Sequence, residues 1–216
     1  MQALIFANGD LNPGPLVDRA LQGAGDALAI AADGGARHML ALGLAPRVVI
    51  GDMDSLSEAE LAHCAALGAT ILRYPPAKDE TDLELALLYA AGRGAETVCV
   101  IGAMGGRLDQ TLANVLLLTL PPLRGRDVRL VAGRQAAWLL WPGEHHLDGQ
   151  VGDTLSLIPL GGEATGVVTN GLAYPLRDET LLFGPARGIS NIFSADAATV
   201  RFSAGMLLVV HTLGRA

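Results

Sequence analysis

The stretch RVVIGDMDSLSEAELAHCAALGATILRY (47–74) decides the fold. It opens on an apolar β-type run, RVVIG (47–51), and closes on another, ATILRY (69–74). Between them the pattern becomes helical from about Glu58 to Leu67, with Ser57 and Glu60 at the spacing of a capping box. Strand, helix, strand in that order predicts two parallel neighbours, because a crossover helix returns the chain to run in the same direction. The same rhythm extends both ways. ALIF (3–6), ALAIAA (27–32), TVCVIG (97–102) and VRLVAG (128–133) read as further buried strands. Leu83, Ala86, Leu87 and Ala90 mark a helix after Asp79. A third helix follows Asp109, with Leu112, Val115, Leu116 and Leu117 on its apolar side. Residues 1–135 therefore read as a mostly parallel α/β sandwich.

Near residue 136 the pattern changes. AWLLW, TLSLIPL, GVVTN, LLFG, TVRF and MLLVVH follow one another, separated by Gly, Pro, Asn and Asp, with no amphipathic helix. Residues 136–216 read as an all-β sandwich. Within it, His145 and His146 are sequence neighbours on a β-type segment and point to opposite faces, which makes them poor co-ligands for a metal.

Composition bounds the function. The 216 residues are 50% hydrophobic and 17% charged, which supports a buried core and argues against disorder. The net charge is −7 and the 15 basic residues form no stripe, so nucleic acid is not the expected partner. No apolar run reaches the roughly 18 residues that span a bilayer. The N-terminal MQALIFANGD lacks the basic and apolar regions of a signal peptide. Cys64 and Cys99, both among apolar residues, read as reduced thiols of a cytoplasmic protein.

Acidic residues gather where the strands of the first domain end. Asp33 follows ALAIAA in ADGG, Asp52 and Asp54 follow VVI in GDMDS, Asp79 and Asp82 open a helix in KDETD, and Asp109 lies in GGRLDQ. In open α/β sheets ligands bind beyond the carboxyl ends of the strands, so these motifs converge on one rim. Asp52 and Asp54, two apart in extended chain, project to the same side. Paired carboxylates repel unless a cation or hydrogen bonds intervene, and Mg²⁺, a hard ion that takes carboxylate and phosphate oxygens, suits them. Asp79 and Asp82 have the spacing to share one face of a first helical turn, with Asp79 also readable as a helix N-cap. Lys78 is placed to meet a phosphate. Gly105 and Gly106 let backbone N–H groups approach an anion, and Arg107 adds a fork of donors. GAMGGRLDQ is not a Walker A loop, since no GK[ST] follows it.

Taken together, the motifs resemble the thiamine pyrophosphokinase family, whose ordered pattern is ADGG, GDxDS, KDxTD, GGRxD and a C-terminal SN. Here these stand as Ala32–Gly35, Gly51–Ser55, Lys78–Asp82, Gly105–Asp109 and Ser190-Asn191. The resemblance implies a homodimer with its active site at the subunit interface, an α/β domain that holds MgATP and a β domain that helps bind thiamine. It places Asp52, Asp54 and Asp82 around Mg²⁺ and the phosphates with Arg107. It places Asp33, Gly34, Lys78, Asp79, Thr81, Gly105, Gly106 and Asp109 at the nucleotide, and Gln110, Tyr174, Ser190 and Asn191 at thiamine. Gln110 stands where many members have His, and Ile192 follows SN where bacterial members often carry an acid. GLAYPL (171–176) resembles the family's GLxWxL, with Tyr174 as a stacking surface for a thiazolium or as an ordinary sandwich aromatic. Two rivals share the site: a pyrophosphokinase acting on a pterin alcohol, and a nucleotide-binding regulator without catalysis.

Overall fold

The computed structural model describes all residues from Met1 to Ala216, in two compact units, Met1–Gly133 and Arg134–Ala216. No helix is long and apolar enough to cross a membrane.

The first unit runs β1 (Gln2–Phe6), α1 (Pro15–Gln22), β2 (Leu28–Ala32), α2 (Gly35–Ala41), β3 (Val48–Gly51), α3 (Glu58–Ala66), β4 (Thr70–Arg73), α4 (Asp82–Gly92), β5 (Thr97–Ile101), α5 (Leu108–Leu117) and β6 (Asp127–Ala132). Its strands pair in the order β6-β5-β1-β2-β3-β4, every pair parallel. The chain steps outward from β1 to β4, then returns to the other side of β1 for β5. That reversal leaves a crevice beyond the carboxyl ends of β1 and β5, where such sheets bind ligands. Ile5, Phe6, Ile30, Ile50, Leu87 and Ile101 are fully buried and form the core that fixes the strand ends. Each contributes about 1.5–3 kcal/mol by leaving water.

Helix α3 starts as its sequence predicts. The Ser57 hydroxyl accepts from the Glu60 N–H, and the Glu60 carboxylate accepts from the Ser57 N–H. Helix α4 starts differently. Thr81 is its N-cap, accepting the Glu84 N–H at 3.2 Å, so Asp79 lies outside the helix and does not cap it. Helix α5 keeps only half of the apolar side expected of it, with Val115 and Leu117 partly buried. Its buried positions are Asn114 and, just after it, Leu118, while Leu108, Leu112 and Leu116 stand in solvent. The polar Asn114 faces inward because it donates to the Ala103 carbonyl at 2.7 Å.

The second unit contains β7 (Gln135–Leu140), β8 (Gly143–Asp148), β9 (Thr154–Pro159), β10 (Ala164–Asn170), β11 (Arg177–Leu181), β12 (Asn191–Ile192), β13 (Ala197–Phe202) and β14 (Leu207–Thr212). Within it β12, β9, β14 and β7 pair in that order, and β11, β10, β13 and β8 in another, all antiparallel. The alternation of β13, with Ala198, Val200 and Phe202 buried, shows one face turned to a core. The run LLFG (181–184) is not a strand beyond Leu181; Leu182 and Phe183 are exposed in the turn after β11. On β8, His145 approaches the Trp141 carbonyl at 2.7 Å while the side chain of His146 is 75% exposed. The two imidazoles diverge, as neighbours on a strand must.

Candidate active site

Four strand ends build the site of the first unit. Beyond β1 the segment Ala7–Asp10 is laced to the segment beyond β5. Ala7 N–H donates to Ile101 O, Gly9 N–H to Gly102 O and Asp10 N–H to Met104 O, at 2.8, 2.8 and 3.0 Å. The contact is so close that a Cβ on Gly9 would lie 2.5 Å from Gly102 O. Only glycine permits this lacing. Beyond β2, Asp33 takes a left-handed backbone (φ 43) and turns its side chain inward, where it is 2% exposed. Beyond β3, Gly51 (φ +149) passes Asp82 so tightly that a Cβ would meet its carboxyl carbon at 2.8 Å.

These turns bring one carboxylate oxygen from each of Asp33, Asp52 and Asp82 within 4.8 Å of one another. Asp54 is not one of the three. Met53 adopts a left-handed conformation (φ 65) with its side chain buried, so the chain is not extended across GDMDS. Asp54 instead turns outward and accepts from the Ser55 hydroxyl at 3.0 Å. Asp79 is exposed and Asp82 begins α4, so these two do not share a helical face.

Lys78 sits over the trio. Its Nζ lies 3.2 Å from Asp52 Oδ2 and 3.0 Å from Asp82 Oδ1, and its side chain is only 9% exposed. Burial works against the charge of Lys78, but the two carboxylates outweigh it and raise its pKa. Asp52 is opposed by burial too, yet the Asp54 N–H and Lys78 hold its pKa down. Asp82 is pushed up, first by burial. Asp52 and Asp82 share one ammonium, and two buried oxygens of the trio lack an aligned hydrogen-bond donor: Asp33 Oδ1, and Asp82 Oδ1, which meets only the Lys78 charge at 3.0 Å. Hard oxygens left in that state at one point fit a hard divalent cation such as Mg²⁺.

A cavity of about 580 Å³ opens in front of the trio. Of the expected residues, Asp33, Asp52, Asp54, Lys78, Thr81, Asp82, Gly105, Gly106, Arg107 and Gln110 line it. Gly34, Asp79 and Asp109 do not line it. Gly34 lies beneath the Asn8 side chain, so close that a Cβ would meet Asn8 Oδ1 at 2.2 Å. Asp109 is turned to Arg107 in a two-point ion pair, with Nε–Oδ1 3.2 Å and Nη2–Oδ2 2.6 Å. That guanidinium lowers the Asp109 pKa. Both side chains are largely exposed, so the pair contributes little and costs little to break. The structure also brings in Asn8, Asp10, Ser55, Thr111 and Asn114, which sequence reasoning missed. Asn8 donates to the Ser55 hydroxyl at 3.1 Å, and the Ser55 N–H donates to Asp33 Oδ2 at 3.2 Å. The signal for Asn8 and Asp10 was present: ANGD follows a strand just as ADGG and GDMDS do.

In the second unit, the Tyr174 ring is 62% exposed and Ser190 takes φ 57 with its N–H on Ser156 Oγ at 3.1 Å. The Asn191 side chain is engaged with the protein itself. Oδ1 accepts from the N–H groups of Tyr174 (3.0 Å) and Ile192 (2.9 Å), and Nδ2 donates to the Tyr174 carbonyl (2.7 Å).

Comparison with known proteins agrees over both units. Residues 24–131 match the family model "Thiamin pyrophosphokinase, catalytic domain" and residues 144–207 match "Thiamin pyrophosphokinase, vitamin B1 binding domain". The thiamine pyrophosphokinase of Bacillus subtilis (strain 168) is 28% identical over 184 residues, covering 85% of this chain and 86% of that protein. A crystal structure of thiamine pyrophosphokinase from Bacillus subtilis superposes with a TM-score of 0.88 at 27% identity, covering 99% of each chain. A thiamin pyrophosphokinase family protein from Enterococcus faecalis gives 0.86 at 28% identity over 100% of both chains. With the catalytic-domain match spanning half of its residues and the vitamin-binding match following in order, the chain belongs to the thiamin pyrophosphokinase family.

Proposed function

We propose that this enzyme transfers the terminal diphosphate of MgATP to the hydroxyl of thiamine, giving thiamine diphosphate and AMP. The observation that carries this reading is the trio Asp33, Asp52 and Asp82, with two buried oxygens short of donors, facing a cavity rimmed by a glycine loop and Arg107. Those three acids would hold Mg²⁺, with Asp54 supporting it from the rim of the same cavity. When bound, Mg²⁺ neutralises charge on the phosphate oxygens of the group in transfer. The protein supplies position and field. Gly105 N–H donates to Thr111 Oγ1 at 3.3 Å, so Gly106 and the first residues of α5 supply the backbone N–H groups for the polyphosphate, where a helix terminus favours an anion. Arg107 leaves Asp109 and forks onto a phosphate. Lys78 keeps Asp52 and Asp82 from repelling each other. The thiamine hydroxyl attacks the β-phosphorus in line and AMP departs, while a carboxylate of the cluster accepts the hydroxyl proton.

The rest of the reading follows the family. The first unit is the nucleotide domain and the second the thiamine domain, with Tyr174 as the aromatic surface for the cationic ring. The enzyme works as a homodimer. In support, Leu108, Leu112 and Leu116 form an exposed ridge at helical spacing along α5, 71%, 57% and 53% exposed, which a second copy would cover. A cytoplasmic location fits two unpaired thiols, Cys64 buried and Cys99 pushed up to about 12 by burial. The test compares alcohols. AMP release from MgATP should need thiamine; release with a pterin alcohol and not with thiamine would overturn the substrate, and nucleotide binding with no AMP from either would overturn catalysis.

A further inference from the structure

We propose that Asn191 acts on thiamine indirectly, as the positioning residue that fixes the backbone from which the Tyr174 ring projects, and not as a ligand of the substrate. The inference rests on the thiamine reading above and deepens it.

A carboxamide has two acceptor sites on oxygen and two donors on nitrogen. In Asn191 both acceptor sites are filled, by the Tyr174 and Ile192 N–H groups, and one donor is spent on the Tyr174 carbonyl. The oxygen and nitrogen assignment follows from these partners, since reversing the amide would set donor against donor. The side chain thus grips both backbone groups of a single residue, as a neighbouring strand would. It has no acceptor left for a substrate amine, and a single Nδ2 hydrogen is all that stays uncommitted.

The surrounding chain supports the same purpose. Ala173 N–H donates to Ile192 O at 2.8 Å, Ser194 N–H to Gly171 O at 2.9 Å, and Leu172 bridges Phe193. The segment Gly171–Tyr174 is therefore zipped onto Asn191–Ser194. Phe193 anchors the zipper. It is 1% exposed, and its backbone exchanges hydrogen bonds with the Gly152–Asp153 turn, both 2.9 Å. Its ring packs 5.3 Å from His211, and a Cβ on Gly149 would strike it at 2.6 Å. His211 in turn is held 2.9 Å from Asp153 Oδ2. On the other segment, Leu172 and Leu176 are buried on either side of Tyr174. Pro175 restricts the backbone of the residue before it. All of this order surrounds one exposed aromatic ring. A solvent-facing ring carried on so fixed a backbone is a platform for a cationic heterocycle, with its point of attachment set before the ligand arrives.

A double-mutant cycle decides the matter. Asn191→Ala, Tyr174→Ala and the double variant are assayed for the KM of thiamine and the KM of ATP. Each single change should raise the thiamine KM about tenfold, as loss of an aligned cation–π contact does, and leave the ATP KM unchanged. The double variant should be no worse than Tyr174→Ala, because Asn191 has nothing left to position. If the two penalties multiply in the double variant, Asn191 touches thiamine itself and the proposal fails. It fails equally if Asn191→Ala keeps the wild-type thiamine KM. Should Asn191→Ala melt early, Asn191→Asp, which keeps the acceptors and loses the donor, completes the cycle. A wild-type protein that makes no thiamine diphosphate would instead overturn the reading beneath, before any variant is needed.

Discussion

Lys78 is the only cation within reach of Asp52 and Asp82 among the ion pairs of the site, and its position sets a prediction at the scale of one residue. Lys78→Met leaves partly buried acids without a counter-ion, a loss of about 1–3 kcal/mol, or roughly 3–10 °C in melting temperature for a chain of this size. The loss should appear in chelator and shrink when millimolar Mg²⁺ is added, because the metal supplies the missing charge. Equal destabilisation with and without Mg²⁺, followed by thermal melts, would separate Lys78 from the metal site. The sequence displayed most of this site and misplaced its details. Strand-end acids are visible as letters, but which of them converge depends on single backbone angles. Met53 at φ 65 removes Asp54 from the trio, and Asp33 at φ 43 adds itself, and neither non-glycine turn has a reliable signature in sequence. Asn8 went unseen because its role comes from a hydrogen bond to Ser55, 47 residues away in the chain.

Among the elements, α3 was readable from its letters because its start is a local affair. Ser57 and Glu60 cap each other, and Arg37 of α2 adds a two-point ion pair to Glu60 at 2.6 and 3.0 Å. The Arg37 hydrogen bond, then those from Ser57, bring the Glu60 pKa down from 4.5 to about 2. The folded value lies below the unfolded one, so between them the unfolded chain binds more protons and stability rises with pH. The contribution of Glu60 is complete above pH 4.5 and is lost as the pH falls toward about 2. In Glu60→Gln this component of the acid limb should vanish from urea midpoints measured across that window. Ser57→Ala should cost about 1 kcal/mol at neutral pH. An acid limb unchanged in Glu60→Gln would place the pair in solvent. Helices α1 and α2 carried weaker signals. Gly14 and Gly34 precede them, with no side-chain cap to mark either start. Helix α5 misled because its leucines fit a helical stripe, while the inward position belongs to Asn114 through one hydrogen bond to Ala103. The expected capping by Asp79 failed for the mirror reason: Thr81 offers the same chemistry closer to the helix.

For the whole molecule, the alternation of strands and helices and its replacement by short antiparallel runs were legible in outline, since each period reflects which face of an element is buried, though the strand expected at LLFG (181–184) lies at Arg177–Leu181. The surface that a second copy would cover was not legible, because an uncovered ridge is invisible until burial is known. If a second copy covers Leu108, Leu112 and Leu116, sedimentation should give twice the 22.3 kDa chain mass, and Leu112→Glu should return it to one chain. A wild-type monomer at micromolar concentration would contradict the dimer. Two-phosphate transfer at the carboxylate trio, as proposed, is read from the masses of the products. Incubated with ATP, Mg²⁺ and thiamine, the protein should yield thiamine diphosphate and AMP in equal amounts, and Asp82→Asn should lose at least about a hundredfold of that rate. Thiamine monophosphate with ADP, or full activity in Asp82→Asn, would contradict it.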